Sequence, residues 1–180
     1  MIKSVDIFCA VIDNYGDIGV CWRLARQMAI ERGLITRLYV DDMDSFKAII
    51  PAPDAHVEVL SWASQDSGSR ACQHSVGMHP RDDEIKGYNA PDIVIEAFAC
   101  NLPEQVIADM VRQKSVWIDL EYLTAENWAL GCHARPSPHP SLNIKKTLFF
   151  PGFDESIGGV IRENDLISRR NAFFQDKNEQ

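Results

Sequence analysis

The stretch Val5-Asp6-Ile7-Phe8-Cys9-Ala10-Val11-Ile12-Asp13-Asn14-Tyr15-Gly16-Asp17-Ile18-Gly19 decides the fold. Its first part is apolar, with one charge, and reads as a buried strand. Its last part opens an amphipathic pattern in which Ile18, Cys21, Leu24, Ala25, Met28 and Ala29 recur at helical spacing, with Arg23, Arg26, Gln27, Glu31 and Arg32 on the opposite side. A strand, a Gly-containing loop and a helix in that order form the first unit of an open α/β sheet. Such a junction ordinarily turns backbone N–H groups toward a phosphate. Here it carries two carboxylates, Asp13 and Asp17, which an anion site does not accommodate and which a site for a cation, or for proton removal, does.

The same alternation continues along the chain. Strand one is placed at about residues 4–12 and helix one at about 18–32, with Gly33 as its C-terminal stop. Thr36 to Val40 is the second strand, Met43 to Ile50 a short helix ended by Pro51 and Pro53, and His56 to Leu60 the third strand. Residues 63–90 are rich in Ser, Gln, Asp, Gly and His and read as a long loop with a short helix over Asp66 to Gln73. Asp92 to Phe98 is almost continuously apolar, as a parallel strand covered on both faces is. A helix from Pro103 to Gln113, a strand at Ser115 to Ile118, a short helix at Ala125 to Leu130, a non-helical Pro-rich run at Arg135 to Pro140, a strand at Thr147 to Phe150 and a helix over 164–174 complete the order. The expected fold class is α/β: a Rossmann-like open, mostly parallel sheet with flanking helices.

At 180 residues the chain is long enough for one domain with a substantial core, and 46% hydrophobic with 24% charged residues is an ordinary globular composition. A net charge of −8 disfavours nonspecific binding to nucleic acid or to an anionic membrane, and suits a cationic partner. No apolar run is long enough for a bilayer, and Met1-Ile2-Lys3-Ser4 does not begin a secretory signal, so a cytoplasmic location is expected. The five cysteines lack CxxC spacing and read as buried thiols in a reducing compartment.

Ligands of open α/β sheets sit beyond the carboxyl ends of the strands. Asp13 and Asp17 follow the first strand, Asp41 and Asp42 the second, Glu96 lies near the end of the fourth, and Asp119 and Glu121 follow the fifth. Together they predict an acidic crevice. Each has a plainer reading: Asp17 as a helix N-cap, Asp13 as a turn residue, Glu96 as a paired buried acid. Asp41 stands about where a Rossmann ribose-binding acid falls, which keeps a nucleotide- or dinucleotide-binding oxidoreductase domain open as an alternative. Cys72, His74 and His79 match no zinc spacing, so no metal site is expected. His133 and His139 are placed at the surface, and Phe149, Phe150 and Phe153 in the core.

Several blocks also resemble one family. They are Asp6-Ile7-Phe8-Cys9, Asp13 to Arg26, Ile95-Glu96-Ala97-Phe98, Leu102-Pro103-Glu104, Leu120-Glu121-Tyr122-Leu123 with Ala125-Glu126, Pro136-Ser137-Pro138-His139-Pro140, Phe149-Phe150-Pro151-Gly152-Phe153, and Gly158-Gly159 with Arg162-Glu163. They are similar to those of the elongation factor P arginine rhamnosyltransferases. That resemblance implies the N-terminal, acceptor-binding domain of an inverting GT-B glycosyltransferase, which transfers rhamnose from dTDP-β-L-rhamnose to an arginine of elongation factor P without a cofactor. It implies Asp17 as general base and Asp13 as the second acid on the guanidinium, with Asn14, Tyr15, Gly16 and Asp17 lining the donor sugar. Residues 1–174 would then be the Rossmann-like acceptor-side domain and 175–180 a polar tail at the interdomain linker. The donor-binding domain would lie beyond it, leaving these 180 residues inactive alone. A non-catalytic module that binds a basic partner is the remaining alternative.

Overall fold

The computed structural model describes residues 1–12, 15–62, 85 and 87–178. The described elements run β1 (Ser4–Cys9), α1 (Gly16–Arg32), β2 (Ile35–Val40), α2 (Met43–Ile49), β3 (Val57–Ser61), β4 (Ile93–Ala97), α3 (Glu104–Gln113), β5 (Val116–Leu120), α4 (Asn127–Leu130), β6 (Pro136–Pro138), β7 (Lys145–Phe149) and α5 (Leu166–Asn178). The strands form one sheet in the order β3-β2-β1-β4-β5-β7-β6. Every pairing is parallel except that of β6 with β7. The expected Rossmann-like α/β sheet is therefore what the chain forms.

Side chains alternate across the central strands, because successive Cβ atoms point to opposite faces. Ile7, Cys9, Leu38, Val40, Ile95 and Ala97 pack with Ile18, Cys21, Trp22 and Ala25 of α1 and Phe46 of α2. Phe8, Tyr39, Val94 and Trp117 pack on the other face with Val106, Ile107 and Met110 of α3. Phe8 stacks on Tyr39 at 4.4 Å between centroids and meets the edge of Trp62 at 5.3 Å. The Trp62 indole N–H, too costly to bury unpaired, donates to the Cys9 carbonyl at 3.0 Å. Asp6, inside β1, is held by Arg37 Nε and Nη2, each at 2.7 Å, and by the Tyr88 hydroxyl at 2.8 Å. Burial nonetheless raises its pKa.

Differences from the sequence reading have local causes. β1 ends at Cys9 rather than Ile12, because the Val11 and Ile12 amides turn to donate to the Asp41 and Asp17 carboxylates. The first helix begins at Gly16, with Tyr15 at the N-cap and no side-chain cap, so Asp17 lies in the first turn and is not the N-cap. Gly33 closes that helix as expected, with φ 66° and its N–H on the Ala29 carbonyl. The run around Pro136 forms the short antiparallel edge strand β6; proline suits an edge, where no ladder donor is needed. Phe150 is buried, Phe149 is half-buried, and Phe153 is 76% exposed, against the expectation that all three are core. Cys9, Cys21 and Cys100 are buried free thiols and Cys132 is half-buried. Cys72, His74, His79 and nearly all of the 63–90 loop lie outside the described residues, as do Asp13 and Asn14. Among the described residues no helix is long and apolar enough to cross a membrane.

Candidate active site at the carboxyl edge of the sheet

The strand order reverses at β1. From β1 the chain moves outward through β2 to β3, then returns to the other side of β1 as β4 and continues outward through β5. The segments that follow β1 and β4 therefore part from each other, and the crevice between them is where doubly wound sheets bind ligands. Asp17 stands on the β1 side of that crevice. It is only 2% exposed, its Oδ2 accepts the Ile12 amide at 3.0 Å, and its place in the first turn of α1 sets a negative charge at the positive end of the helix. Tyr15, by contrast, is 60% exposed.

A cavity of about 550 Å3 opens beside Asp17. Gly16, Asp17, Phe98, Glu121 and Tyr122 line its polar and aromatic end. Ile95, Ile118, Leu120 and Phe149 form its floor, on the sheet face that α1 shares. The Phe98 and Tyr122 rings stack at 4.3 Å and 16°. Burial raises the pKa of Glu121, and the nearby Asp119 carboxylate adds to that rise.

The outer wall is a strap over Gly159–Ile161, fixed along α1. Arg23 Nε and Nη2 bind the two Glu163 oxygens at 2.8 and 2.7 Å, and Gln27 Nε2 donates to the Arg162 carbonyl at 2.6 Å. Glu31 Oε1 accepts the Asn164 amide at 2.8 Å. The Arg23 bonds draw the Glu163 pKa down to about 2. Because the folded value lies below the ordinary 4.5, this ion pair stabilises fully above the unfolded pKa and is lost as pH falls through about 2. Water reaches the pair, so we expect Glu163→Gln to lower stability by only about 0.5 kcal/mol at pH 7, a difference that vanishes near pH 2 in urea titrations.

Among the described residues, the rim acids Asp41, Asp42, Glu96 and Asp119 are engaged elsewhere. Asp41 Oδ1 accepts the Val11 amide at 2.8 Å, bracing the β1–α1 segment. Asp42 caps α2 through the Asp44 and Ser45 amides. Glu96 and Asp119 sit side by side in the register of β4 and β5 and face the side of the sheet away from the cavity, with Trp117. Lys146 Nζ reaches Asp119 at 2.6 Å and Glu96 at 3.3 Å, while Trp117 Nε1 donates to Glu96 at 3.1 Å. Burial raises the Glu96 pKa, opposed by Lys146 and reinforced by Asp119. The paired-acid reading of Glu96 holds, and among the described rim acids Asp17 and Glu121 line the cavity while Glu96 and Asp119 turn away from it.

The β4–α3 turn escaped sequence reading. Phe98, Ala99 and Asn101 all have positive φ, at 58°, 52° and 56°. None is glycine, and each such residue costs roughly 1 kcal/mol or more. No residue type in this stretch signals a left-handed turn apart from the Asn. His133 and His139 use Nδ1 to accept backbone amides, of Phe150 and of Ser141 and Leu142, and stand outside the cavity.

The fold and its crevice define a Rossmann-like α/β domain that presents a buried carboxylate at the topological switch point. The family model described as elongation-factor P (EF-P) rhamnosyltransferase EarP matches residues 5–180. Proteins named protein-arginine rhamnosyltransferase are similar: that of Pseudomonas putida is 44% identical over 172 residues, covering 94% of this chain and 42% of the relative. The Pseudomonas aeruginosa protein is 45% identical over 174 residues, covering 94% and 43%, and the Shewanella oneidensis protein 39% over 178 residues, covering 95% and 42%. The chain belongs to the EarP family of elongation-factor P rhamnosyltransferases. It spans about two-fifths of the length of these relatives.

Proposed function

We propose that this chain is the acceptor-side domain of an inverting GT-B glycosyltransferase that moves rhamnose from dTDP-β-L-rhamnose to an arginine of elongation factor P. The observation that carries the reading is the buried Asp17 carboxylate at the mouth of the switch-point cavity, in a chain of this family. A pyrophosphate-binding loop has no use for a fixed negative charge there, and Asp41, the candidate ribose acid of the dinucleotide alternative, is bonded to the Val11 amide.

The chemistry asked of Asp17 is specific. A guanidinium has a pKa above about 12 and is a poor nucleophile. A carboxylate cannot deprotonate it in advance. It can hold the cation by charge-assisted hydrogen bonds and align one nitrogen with the anomeric carbon. As the C–N bond forms and the C–O bond to the diphosphate breaks, that nitrogen becomes acidic and its proton passes to Asp17. Backside displacement converts the β-linked donor into an α-linked product. In this proposal Asp13 is the second carboxylate on the guanidinium, Asn14, Tyr15, Gly16 and Asp17 line the donor sugar, and the α1 N-terminus favours the departing diphosphate.

The test is intact mass spectrometry of elongation factor P after incubation with dTDP-β-L-rhamnose. The full-length protein is expected to add one deoxyhexose to an arginine. The 180 residues by themselves, about two-fifths of the relatives' length, are expected to add none. An unmodified acceptor with the full-length protein would defeat the proposal.

A further inference from the structure

The crevice at the switch point has two sides, and the second is the β4–α3 turn. Phe98 lines the same cavity as Asp17 and fixes the Tyr122 ring by stacking. Ala99 and Asn101 are exposed beside it. The left-handed backbone of this turn is held at both ends. The Phe98 amide donates to the Leu120 carbonyl at 2.7 Å, and the Asn101 amide to Glu96 Oε1 at 3.1 Å. Within the turn, the Cys100 thiol reaches the Phe8 carbonyl at 3.5 Å. Glu96 is itself fixed by Trp117 and Lys146. A buried ionic group spent on bracing a surface turn is an expensive support for a connection that a glycine would make without strain. Strained backbone over-determined by its surroundings clusters at ligand clamps.

We propose that the turn Phe98–Asn101 is the second wall of the acceptor site, facing Asp17 across the switch point and gripping the acceptor polypeptide, with Glu96 as the positioning residue that holds it. The inference rests on the function proposed above. It assigns the turn to the protein acceptor rather than the sugar donor because, in the function proposed above, this sheet is the acceptor side, and because Ala99 and Asn101 are exposed beside the cavity's stacked Phe98–Tyr122 wall, a rim on which a polypeptide can lie.

The test is steady-state kinetics of the full-length protein, varying acceptor and donor separately, with melting midpoints measured in parallel. Ala99→Gly relaxes the backbone without removing a contact. It is expected to raise the acceptor KM about fivefold or more, with the donor KM unchanged and the midpoint equal or higher. Glu96→Gln is expected to raise the acceptor KM as well, and the double variant to be no worse than the poorer single one, because both act through one turn. An acceptor KM within about twofold of wild type for Ala99→Gly, a shift in donor KM instead, or additive effects in the double variant would overturn the inference while leaving the transferase reading intact. A wild-type protein that transfers no rhamnose would overturn that reading, and this inference with it.

Discussion

Asp17→Asn in the full-length protein is expected to lower rhamnosyl transfer by about 10^3-fold or more while leaving the fold in place. The two halves of that statement come from different atoms. One bond that anchors the residue is the Ile12 amide on Oδ2 at 3.0 Å, and the amide oxygen of Asn accepts it equally well. The loss of charge at the helix N-terminus costs about 0.5 kcal/mol. The proton from the attacking nitrogen has no destination on an amide, and the cation loses its charged partner. Single-turnover assays with saturating acceptor and donor isolate the chemical step, and circular dichroism with urea titration checks the fold. Near wild-type turnover in a folded variant would remove Asp17 from the role of base.

The largest stability effect is expected from Lys146→Met. Lys146 is the shared cation of Glu96 and Asp119, which are 2% exposed each. Removing it leaves two buried carboxylates facing one another, and breaking such a group ordinarily costs 3–5 kcal/mol. Because Lys146 is itself partly reached by water, we place the loss near the low end, about 3 kcal/mol at pH 7. The sign with pH is informative. The Glu96 pKa in the folded state already lies above its ordinary 4.5, and losing Lys146 raises it further. The native state then holds a proton that the unfolded state releases, so the variant loses stability as pH rises above about 4.5 and recovers part of it below. Urea titrations at pH 7 and pH 4 should show the gap to wild type narrowing at the lower value. An equal gap at both would mean that packing, not charge, is what the lysine provides.

Much of the fold was legible because its determinants are local. Near-continuous apolar runs marked β1 and β4, and 3.6-residue spacing marked α1. Strand parity places Glu96 and Asp119 opposite Ile95 and Leu120, so their turn away from the cavity was readable in principle. What the sequence hid was long-range or conformational. The strap that walls the cavity depends on an Arg23–Glu163 pair separated by 140 positions. β6 is a three-residue edge strand with proline at both ends, outside any strand pattern. The left-handed turn at Phe98 and Ala99 is written in residues that ordinarily avoid that conformation. Asp17 was singled out by chemistry alone, two acids in a loop that should want none, whereas its burial and its position inside the helix needed three dimensions.

Between Phe150 and Gly159 the backbone doubles back, with the Gly152 amide on the Gly158 carbonyl at 2.7 Å and the Gly158 amide on the Phe150 carbonyl at 3.0 Å. A methyl group at position 158 would lie 2.5 Å from the Phe149 ring, and one at 152 would lie 2.8 Å from Ile157. Phe149 is also part of the cavity floor. The two glycines thus act as a keyhole through which the main chain threads on its way to the strap, and the shape of the switch-point cavity is moulded there by atoms that are missing rather than by any that are present.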